Sequence, residues 1–570
     1  MGFQISPGVS TTEIDLTTVV PAVSTTAGAF AGAFVWGPVN KSILIDSEIT
    51  LNSRFGSPDS NTYISYYSAA NFLSYGNNLN VVRSANTSAH NATSNSASLA
   101  VQIANEDVFE ASYLHTNNQD TLGAFVARYP GVLGNSLEVV VCANTTEFTA
   151  NTSWTGAGYN SLFTAAPGTS SQAAAAGGAN DELHIVVVDT GGKFTGVKNT
   201  VLETFAFLSK ASDSIDALGN SNYYKNVIFN KSKYVYALGP IDYNNTNSTW
   251  GLTSSTVFYT PLNKSLQLSS GTDAQPVDAD LVTSYGLFSN ADTIDISLVV
   301  TGGADVTVQQ SVIDNIVTTR KDCVAFISPP ASYSVINNAG NESAQIQAWI
   351  TALARSSSYV VADSGWKYQF DKYNNVYRWI PLNADVAGLC VNTDNVRDPW
   401  YSPAGFNRGA IKNAVKLAWN PSQTYRDAIY SIGVNPVVSF PGQGIVLYGD
   451  KTLQSKPSAF DRINVRRLFI VLEKAIAKAS KYSLFEFNDE FTRAQFVATV
   501  EPFLRDVQGR RGVTDFKVVC DTTNNTPQVI DSNQFVGDIY IKPARSINFI
   551  QLNFIAVRTG VSFTEVVGAR

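Results

Sequence analysis

The sequence predicts a multidomain chain of mixed α/β and α+β class. It has a discontinuous α/β middle domain, a mainly-β inserted and protruding region, and an α+β C-terminal core domain. Three observations predict this. At roughly 150 residues per domain, 570 residues make about four units, each able to bury its own core. Apolar runs alternate with helical periodicity, stop near Ser84 and resume near Ile294. The last 170 residues carry two strong helical patterns followed by strand patterns.

Taken in order, residues 1–20 read as an N-terminal arm. The segment Gly8 to Val20 is β-prone, with Val9, Thr11, Glu13, Ile14, Leu16 and Val19 as its pairing positions. Residues 21–84 give βαβ material: Gly28 to Trp36, Ser42 to Ile45, a helix over Tyr63 to Ser74, and Leu79 to Arg83, with Gly37-Pro38 and Gly76-Asn77-Asn78 as turns. Residues 85–290 are rich in Asn, Ser, Thr, Ala and Gly, with strand islands at Phe125–Arg128, Leu137–Cys142, Leu183–Val188 and Tyr234–Leu238. This insert reads as two mainly-β subdomains, with the Ala165 to Gly178 stretch as a loop. The α/β alternation returns over 291–399 with strands at Ile294–Val300, Cys323–Ser328 and Tyr359–Ala362, and helices at Val306–Arg320 and Ser343–Ala354. The C-terminal domain, 400–570, has helices at Ala459–Tyr482 and Asp489–Asp506. Its strands fall at Asp515–Cys520, Asp538–Lys542 and Asn548–Arg558, the last an arm with pairing positions Phe549, Gln551, Asn553, Ile555 and Val557. A β-prone arm can add a strand to another subunit's sheet or pair within its own.

Charge separates the two ends. The whole chain carries −7, residues 1–400 carry −14, and residues 401–570 carry +7. Such a balance gives no general reason to bind nucleic acid or an anionic membrane, and no apolar stretch suits a membrane span. Residues 84–290 hold 8 cationic and 16 anionic side chains, which suits a solvated region. On the first C-terminal helix, Val465, Leu468, Leu472, Ala475, Ile476 and Ala479 form an apolar stripe. Arg467, Lys474, Lys478 and Lys481 share another face, which Arg462 and Arg466 extend. An ordinary solvated face and a docking surface for an acidic partner both fit that pattern.

Little material for catalysis is present, and no enzyme is expected. The three histidines, His90, His115 and His184, are widely spaced in the insert. GxSxG, HExxH and GxxxxGK[ST] motifs are absent, and no cofactor or metal is expected. Cys142, Cys323, Cys390 and Cys520 lie far apart, without a CxxC pair, which fits a reducing compartment. The start lacks the features of a signal peptide, and the Met1-Gly2 with Ser6 match to an acylation pattern is read as coincidence. The sharpest enzyme signal is Val188-Asp189-Thr190-Gly191 with Ala362-Asp363-Ser364-Gly365, which resembles the doubled motif of pepsin-like proteases. Strand-ending Asp and Gly are also ordinary turn chemistry.

Several segments together resemble the tail sheath proteins of contractile-tailed bacteriophages. They are Ser6-Pro7-Gly8-Val9 with Glu13, Phe34 to Pro38 with Arg54-Phe55-Gly56, and Asn80 to Arg83. Ala127 to Gly131 with Gly134-Asn135, Arg320 to Phe326 before Pro329-Pro330, Ala387-Gly388 with Asp394, and Trp400 with Pro403-Ala404-Gly405 continue the match. Gly433 to Pro436, Gly442-Gln443-Gly444 and Arg462 to Arg467 complete it. The resemblance implies a structural virion protein, assembled in the host bacterial cytoplasm, that polymerises in stacked helical rings around a tail tube. It implies a C-terminal domain nearest the tube, neighbours linked by exchanged terminal strands, and contraction that drives the tube through the host envelope to deliver the genome. The implied partners are further copies of the chain, the tail tube protein, and baseplate and tail terminator proteins, with no nucleic acid contact and no stable membrane insertion. Arg462, Arg466, Arg467, Lys474, Lys478 and Lys481 are the residues expected to face the tube. Another virion surface protein, such as a receptor-binding adhesin, is the competing class.

Overall fold

The computed structural model describes residues 23–95, 100–115, 122–241, 249–335, 340–548 and 551. The chain divides into a larger unit, residues 22–399 and 403–477, and a smaller unit, residues 1–21, 400–402 and 478–570. The arm positions Val9, Thr11, Glu13, Ile14, Leu16, Val19, Phe549, Asn553, Ile555 and Val557 lie outside the described residues. Gln551 is described and exposed, and belongs to no strand.

The larger unit is built on a seven-stranded sheet. Its spatial order is Ser42–Ile45, Leu79–Arg83, Gly28–Gly32, Leu298–Val300, Val324–Ile327, Val360–Asp363 and Val434–Asn435. All neighbours are parallel except the edge strand Ser42–Ile45, which runs antiparallel to Leu79–Arg83. Parallel strands covered on both faces read as continuous apolar runs, which Val324-Ala325-Phe326-Ile327 illustrates. Alternation sends Phe30, Val81, Val300, Phe326 and Val361 into one core with the helices Tyr63–Leu73 and Asn383–Val396. Ala29, Val82, Val299, Ala325 and Val360 face a second core with the helices Val306–Val312 and Glu342–Leu353. The last strand of the sheet, Val434–Asn435, comes from beyond residue 399.

The segment between residues 84 and 290 forms a four-stranded antiparallel sheet in the order Thr200–Ser209, Glu182–Asp189, Leu137–Cys142, Lys264–Gln267. A second antiparallel pair joins Phe125–Ala127 to Val235–Ala237. All four sequence-predicted strand islands are strands. The Ser171–Ala175 segment, expected within a loop, makes one short helical turn that Ser170 caps through Ala173 N.

In the smaller unit the helix Glu490–Gly509, capped by Asp489 through Thr492 N, packs on a two-stranded antiparallel sheet, Val513–Val519 with Asp538–Pro543. Trp400 Nε1 donates to Arg510 O at 3.1 Å, and the Arg510 guanidinium lies 5.0 Å from the Trp400 ring centre. The helix Ile463–Ser480 belongs to the larger unit up to Ala477. Among the described residues no helix is long and apolar enough to cross a membrane.

Candidate assembly surfaces

The basic helix was the sequence-predicted docking surface, and its side chains divide sharply. Arg467 is buried in a bidentate pair with Asp394, Nη1 to Oδ1 at 2.8 Å and Nη2 to Oδ2 at 2.6 Å, and Nη1 also reaches Cys390 O at 3.4 Å. Burial alone would favour the neutral form, but Asp394 and Cys390 hold the guanidinium above its ordinary pKa. Arg466 lies between two rings, 3.9 Å from the Phe460 centre and 4.2 Å from the Tyr359 centre. Its Nη2 donates to Ser358 Oγ at 2.8 Å. Burial lowers its pKa, with Tyr359 and Glu473 opposing. Arg462 donates to Tyr430 Oη at 2.6 Å and to Asp450 at 3.0 Å. Lys474 Nζ donates to Asp295 and to Ile296 O, both at 2.7 Å.

These four cations therefore tie the helix to the central sheet and its neighbours rather than presenting a free charged face. Arg466 and Arg467 depart most from the expected tube-facing surface: Arg467 is buried in its pair with Asp394, and Arg466 is buried between the Tyr359 and Phe460 rings, so neither guanidinium lies on an open face. Arg462 and Lys474 keep partial exposure but are also internally paired. The apolar stripe was read correctly at Val465, Leu468, Leu472, Ala475 and Ile476, all buried. A helix covered on more than one side buries charge as well as apolar surface, which a single-stripe reading misses. Lys478 and Lys481 remain exposed.

The smaller unit holds the second surface. Register runs from Val513 opposite Pro543 to Val519 opposite Asp538, with an irregularity at Val513/Asp515. Ala544 N donates to Gly512 O at 3.1 Å, extending the ladder at one end. At the other end Asn525 closes the connecting loop, its Nδ2 donating to Val536 O at 2.7 Å and its Oδ1 accepting from Val536 N at 2.9 Å. Among the described residues no third strand pairs with this sheet. Two-stranded sheets leave unpaired N–H and C=O groups along their edges, which can template a further strand.

The two aspartates of the protease-like motif do not share a site. Asp189 belongs to the four-stranded sheet between residues 84 and 290, where its carboxylate closes a turn by accepting from the N–H groups of Lys193, Phe194 and Thr195 at 2.9–3.0 Å. Burial opposes its charge, but these hydrogen bonds and Ser136 hold its pKa below the ordinary value. Asp363 ends a strand of the seven-stranded sheet, accepting from Ser328 Oγ at 2.7 Å and Gly365 N at 2.9 Å. Burial pushes its pKa up to about 8. Each carboxylate is satisfied by its own loop, in its own sheet. His184 is likewise structural: its Nδ1 accepts from Phe207 N at 3.0 Å while Nε2 lies 2.9 Å from Ala165 O.

Sequence reasoning passed over one exposed feature, the apolar cluster Tyr482, Leu484, Phe485, Phe487 and Phe491. The signal was there in Leu484-Phe485-Glu486-Phe487, but it falls where one helical pattern gives way to the next.

The family model for the phage tail sheath protein central domain matches residues 288–453, and that for the phage tail sheath C-terminal domain matches residues 455–556. The tail sheath protein of Vibrio phage KVP40 is 34% identical, over 99% of this chain and all of that protein. The chain belongs to the tail sheath protein family. The tail sheath protein of Enterobacteria phage T4 is 32% identical over 99% of both chains. A crystal structure of a sheath tail protein from Listeria innocua shares the fold at a TM-score of 0.53 and 12% identity, over 92% of this chain and 96% of that one. One from Desulfitobacterium hafniense gives 0.50 and 12%, over 91% and 94%. Members of this family are structural proteins of phage tails, not enzymes, so the protease-like motif carries no function here.

Proposed function

We propose that the chain is the repeating subunit of a contractile sheath that encloses a tail tube and, on triggering, shortens and drives that tube through the host envelope for genome delivery. The full-length similarity to tail sheath proteins is the observation that carries this reading. Assembly takes place in the host cytoplasm. The partners are further copies of the chain, the tail tube protein, and the baseplate and terminator proteins that bound the polymer.

The terminal arms, through Val9 to Val19 and Phe549 to Val557, add strands to the sheet Val513–Val519/Asp538–Pro543 of neighbouring subunits. Among the described residues the sheet has no third strand, which supports that role, because strand addition supplies backbone hydrogen bonds without any special side-chain chemistry. In this reading residues 1–20 join the C-terminal domain 400–570 near the tube, residues 21–84 and 291–399 form the middle domain, and the acidic insert 85–290 points outward. Of the six cations expected to face the tube, Lys478 and Lys481 are the exposed pair and carry the proposal. Contraction draws on two packings of nearly rigid subunits, with the arms as tethers.

Two variants test it. Lys478→Glu/Lys481→Glu is expected to fold normally and to lose co-sedimentation with tail tubes at moderate salt, while coating at wild-type level refutes the tube assignment. Deletion of residues 1–20 is expected to leave folded subunits that cannot propagate a sheath. Normal sheaths from that deletion refute strand exchange by the N-terminal arm.

A further inference from the structure

A buried lysine and a buried aspartate meet in the larger unit, where the hairpin Trp366–Asp371/Val376–Pro381 comes against the start of the helix Asn383–Val396. Lys367 Nζ donates to Asp385 Oδ1 at 2.9 Å, and neither side chain has any exposure to solvent. Ile380, opposite Lys367 in the hairpin, and Ala384 and Val386, on either side of Asp385, are core residues.

The hydrogen bonds around the pair give its two carboxyl oxygens different surroundings. Tyr75 Oη accepts from Lys412 N at 2.7 Å, which leaves its own hydrogen to point at Asp385 Oδ1, 3.1 Å away. Lys367 Nζ also donates to Lys412 O at 2.8 Å. Asp385 Oδ1 therefore receives two hydrogen bonds, while Asp385 Oδ2 is buried without a partner. Such an oxygen costs free energy both as half of a carboxylate and as the hydroxyl of an acid. A buried ion pair offsets its desolvation only when its remaining polar atoms are satisfied, and this one leaves an atom over.

Burial pushes the Lys367 amine down and the Asp385 carboxyl up, against the attraction between them. Both directions favour the neutral forms, an amine with a nucleophilic lone pair beside a carboxyl group with an electrophilic carbon.

We infer that Lys367 and Asp385 join in a side-chain amide bond, a cross-link that the folded chain forms within itself. Nζ attacks Cγ and the new N–C bond forms, while the Tyr75 hydroxyl stabilises the negative charge that develops on Oδ1. The Cγ–Oδ2 bond then breaks with its electron pair, and Oδ2 leaves as water with its own proton and one from Nζ. Groups held in one reactive geometry behave as if present at roughly 10⁵–10⁸ M, and a site closed to water disfavours the reverse hydrolysis.

The product retains the hydrogen bonds that the pair makes to its surroundings. Its N–H donates to Lys412 O, its carbonyl accepts from Tyr75 Oη, and the atom that departs is the one without a partner. The bond closes residues 367–385 into a ring, so the hairpin and the helix stay joined when the rest of the unit is unfolded.

Mass spectrometry of the full chain, purified folded and then denatured, tests the inference. The intact wild-type mass is expected to fall short of the sequence mass by one water. A tryptic digest is expected to yield one branched peptide that joins the segments containing Lys367 and Asp385, with no cleavage after Lys367. Lys367→Met/Asp385→Leu, which removes both charges together, is expected to show its full sequence mass.

A wild-type chain at full sequence mass, both when fresh and after prolonged incubation in the folded state, overturns the inference and leaves an ordinary buried ion pair. A missing water that maps to other residues overturns it as well, and so does the same deficit in the double variant. The decisive readings are made on the wild-type chain, so they stand whether or not the variant folds, and neither result bears on the sheath reading.

Discussion

Replacing Arg467 by Met tests whether the basic helix is an internal clamp. Arg467 and Asp394 have side chains only 4% and 5% exposed, joined by two charge-assisted hydrogen bonds of 2.6 and 2.8 Å. Methionine fills most of the volume but leaves the Asp394 carboxylate without its counter-charge in a site closed to water. Removing one partner of a buried pair costs about 3–5 kcal/mol, a large share of the stability of an ordinary domain. The assay is urea unfolding followed by tryptophan fluorescence and far-ultraviolet circular dichroism, read as a fall in midpoint. The double variant Arg467→Met/Asp394→Leu removes both charges and is expected to recover most of the loss, since apolar replacement of a buried pair is often neutral. Lys478→Glu/Lys481→Glu is the exposed control and is expected to stay within about 0.5 kcal/mol. An Arg467→Met chain within about 1 kcal/mol of wild type, or a double variant as unstable as the single, refutes the clamp.

Three further outcomes follow from buried groups. Asp363 has its pKa raised by burial to about 8, so the folded chain keeps a proton that the unfolded chain releases near pH 4. Its contribution is fully present below that pH and is lost as pH rises towards 8; relative to Asp363→Asn, wild-type stability should fall over this window, and parallel curves contradict the assignment. Burial lowers the pKa of His184, whose Nδ1 must stay unprotonated to accept from Phe207 N. The unfolded histidine takes up its proton first, so stability is full above about pH 6.5 and declines as pH falls below it; an unchanged acid slope in His184→Gln contradicts this. Gly388→Ala places a Cβ 2.3 Å from the Tyr75 ring, which is pinned through its hydroxyl to Asp385 and Lys412 N. Such overpacking is expected to cost about 1–3 kcal/mol, and a melting temperature equal to wild type shows that the ring can move aside.

The mixed α/β character was legible because fully buried parallel strands and amphipathic helices leave distinct periods. Leu79–Arg83, Val324–Ile327 and Val360–Asp363 were placed within a residue or two for that reason. The helices Ile463–Ser480 and Glu490–Gly509 followed from a 3.6-residue repeat. The hairpin Trp366–Asp371/Val376–Pro381 was missed because its buried face carries polar residues. Lys367 pairs there with Asp385 at 2.9 Å, Gln369 accepts from Asn71, and Asp371 accepts from Tyr67. The alternation is present in Trp366-Lys367-Tyr368-Gln369-Phe370-Asp371, but it is the polar face, Lys367, Gln369 and Asp371, that is buried, while Phe370 is exposed. The same limit explains Arg466 and Arg467: charge marks a surface only until a partner such as Asp394 or a ring such as Phe460 takes it inside. Asp189 and Asp363 show the converse, since each motif was visible and so was its placement in a different region, the one at the end of a strand of the insert and the other at the end of a strand of the middle α/β region.

The most direct test of the central claim is negative-stain electron microscopy of the purified chain mixed with tail tubes as its concentration is raised. The sheath account predicts striated, open-ended sleeves of regular repeat around the tubes, lost in the deletion of residues 1–20. Bare tubes beside closed rings or globular dimers would contradict it.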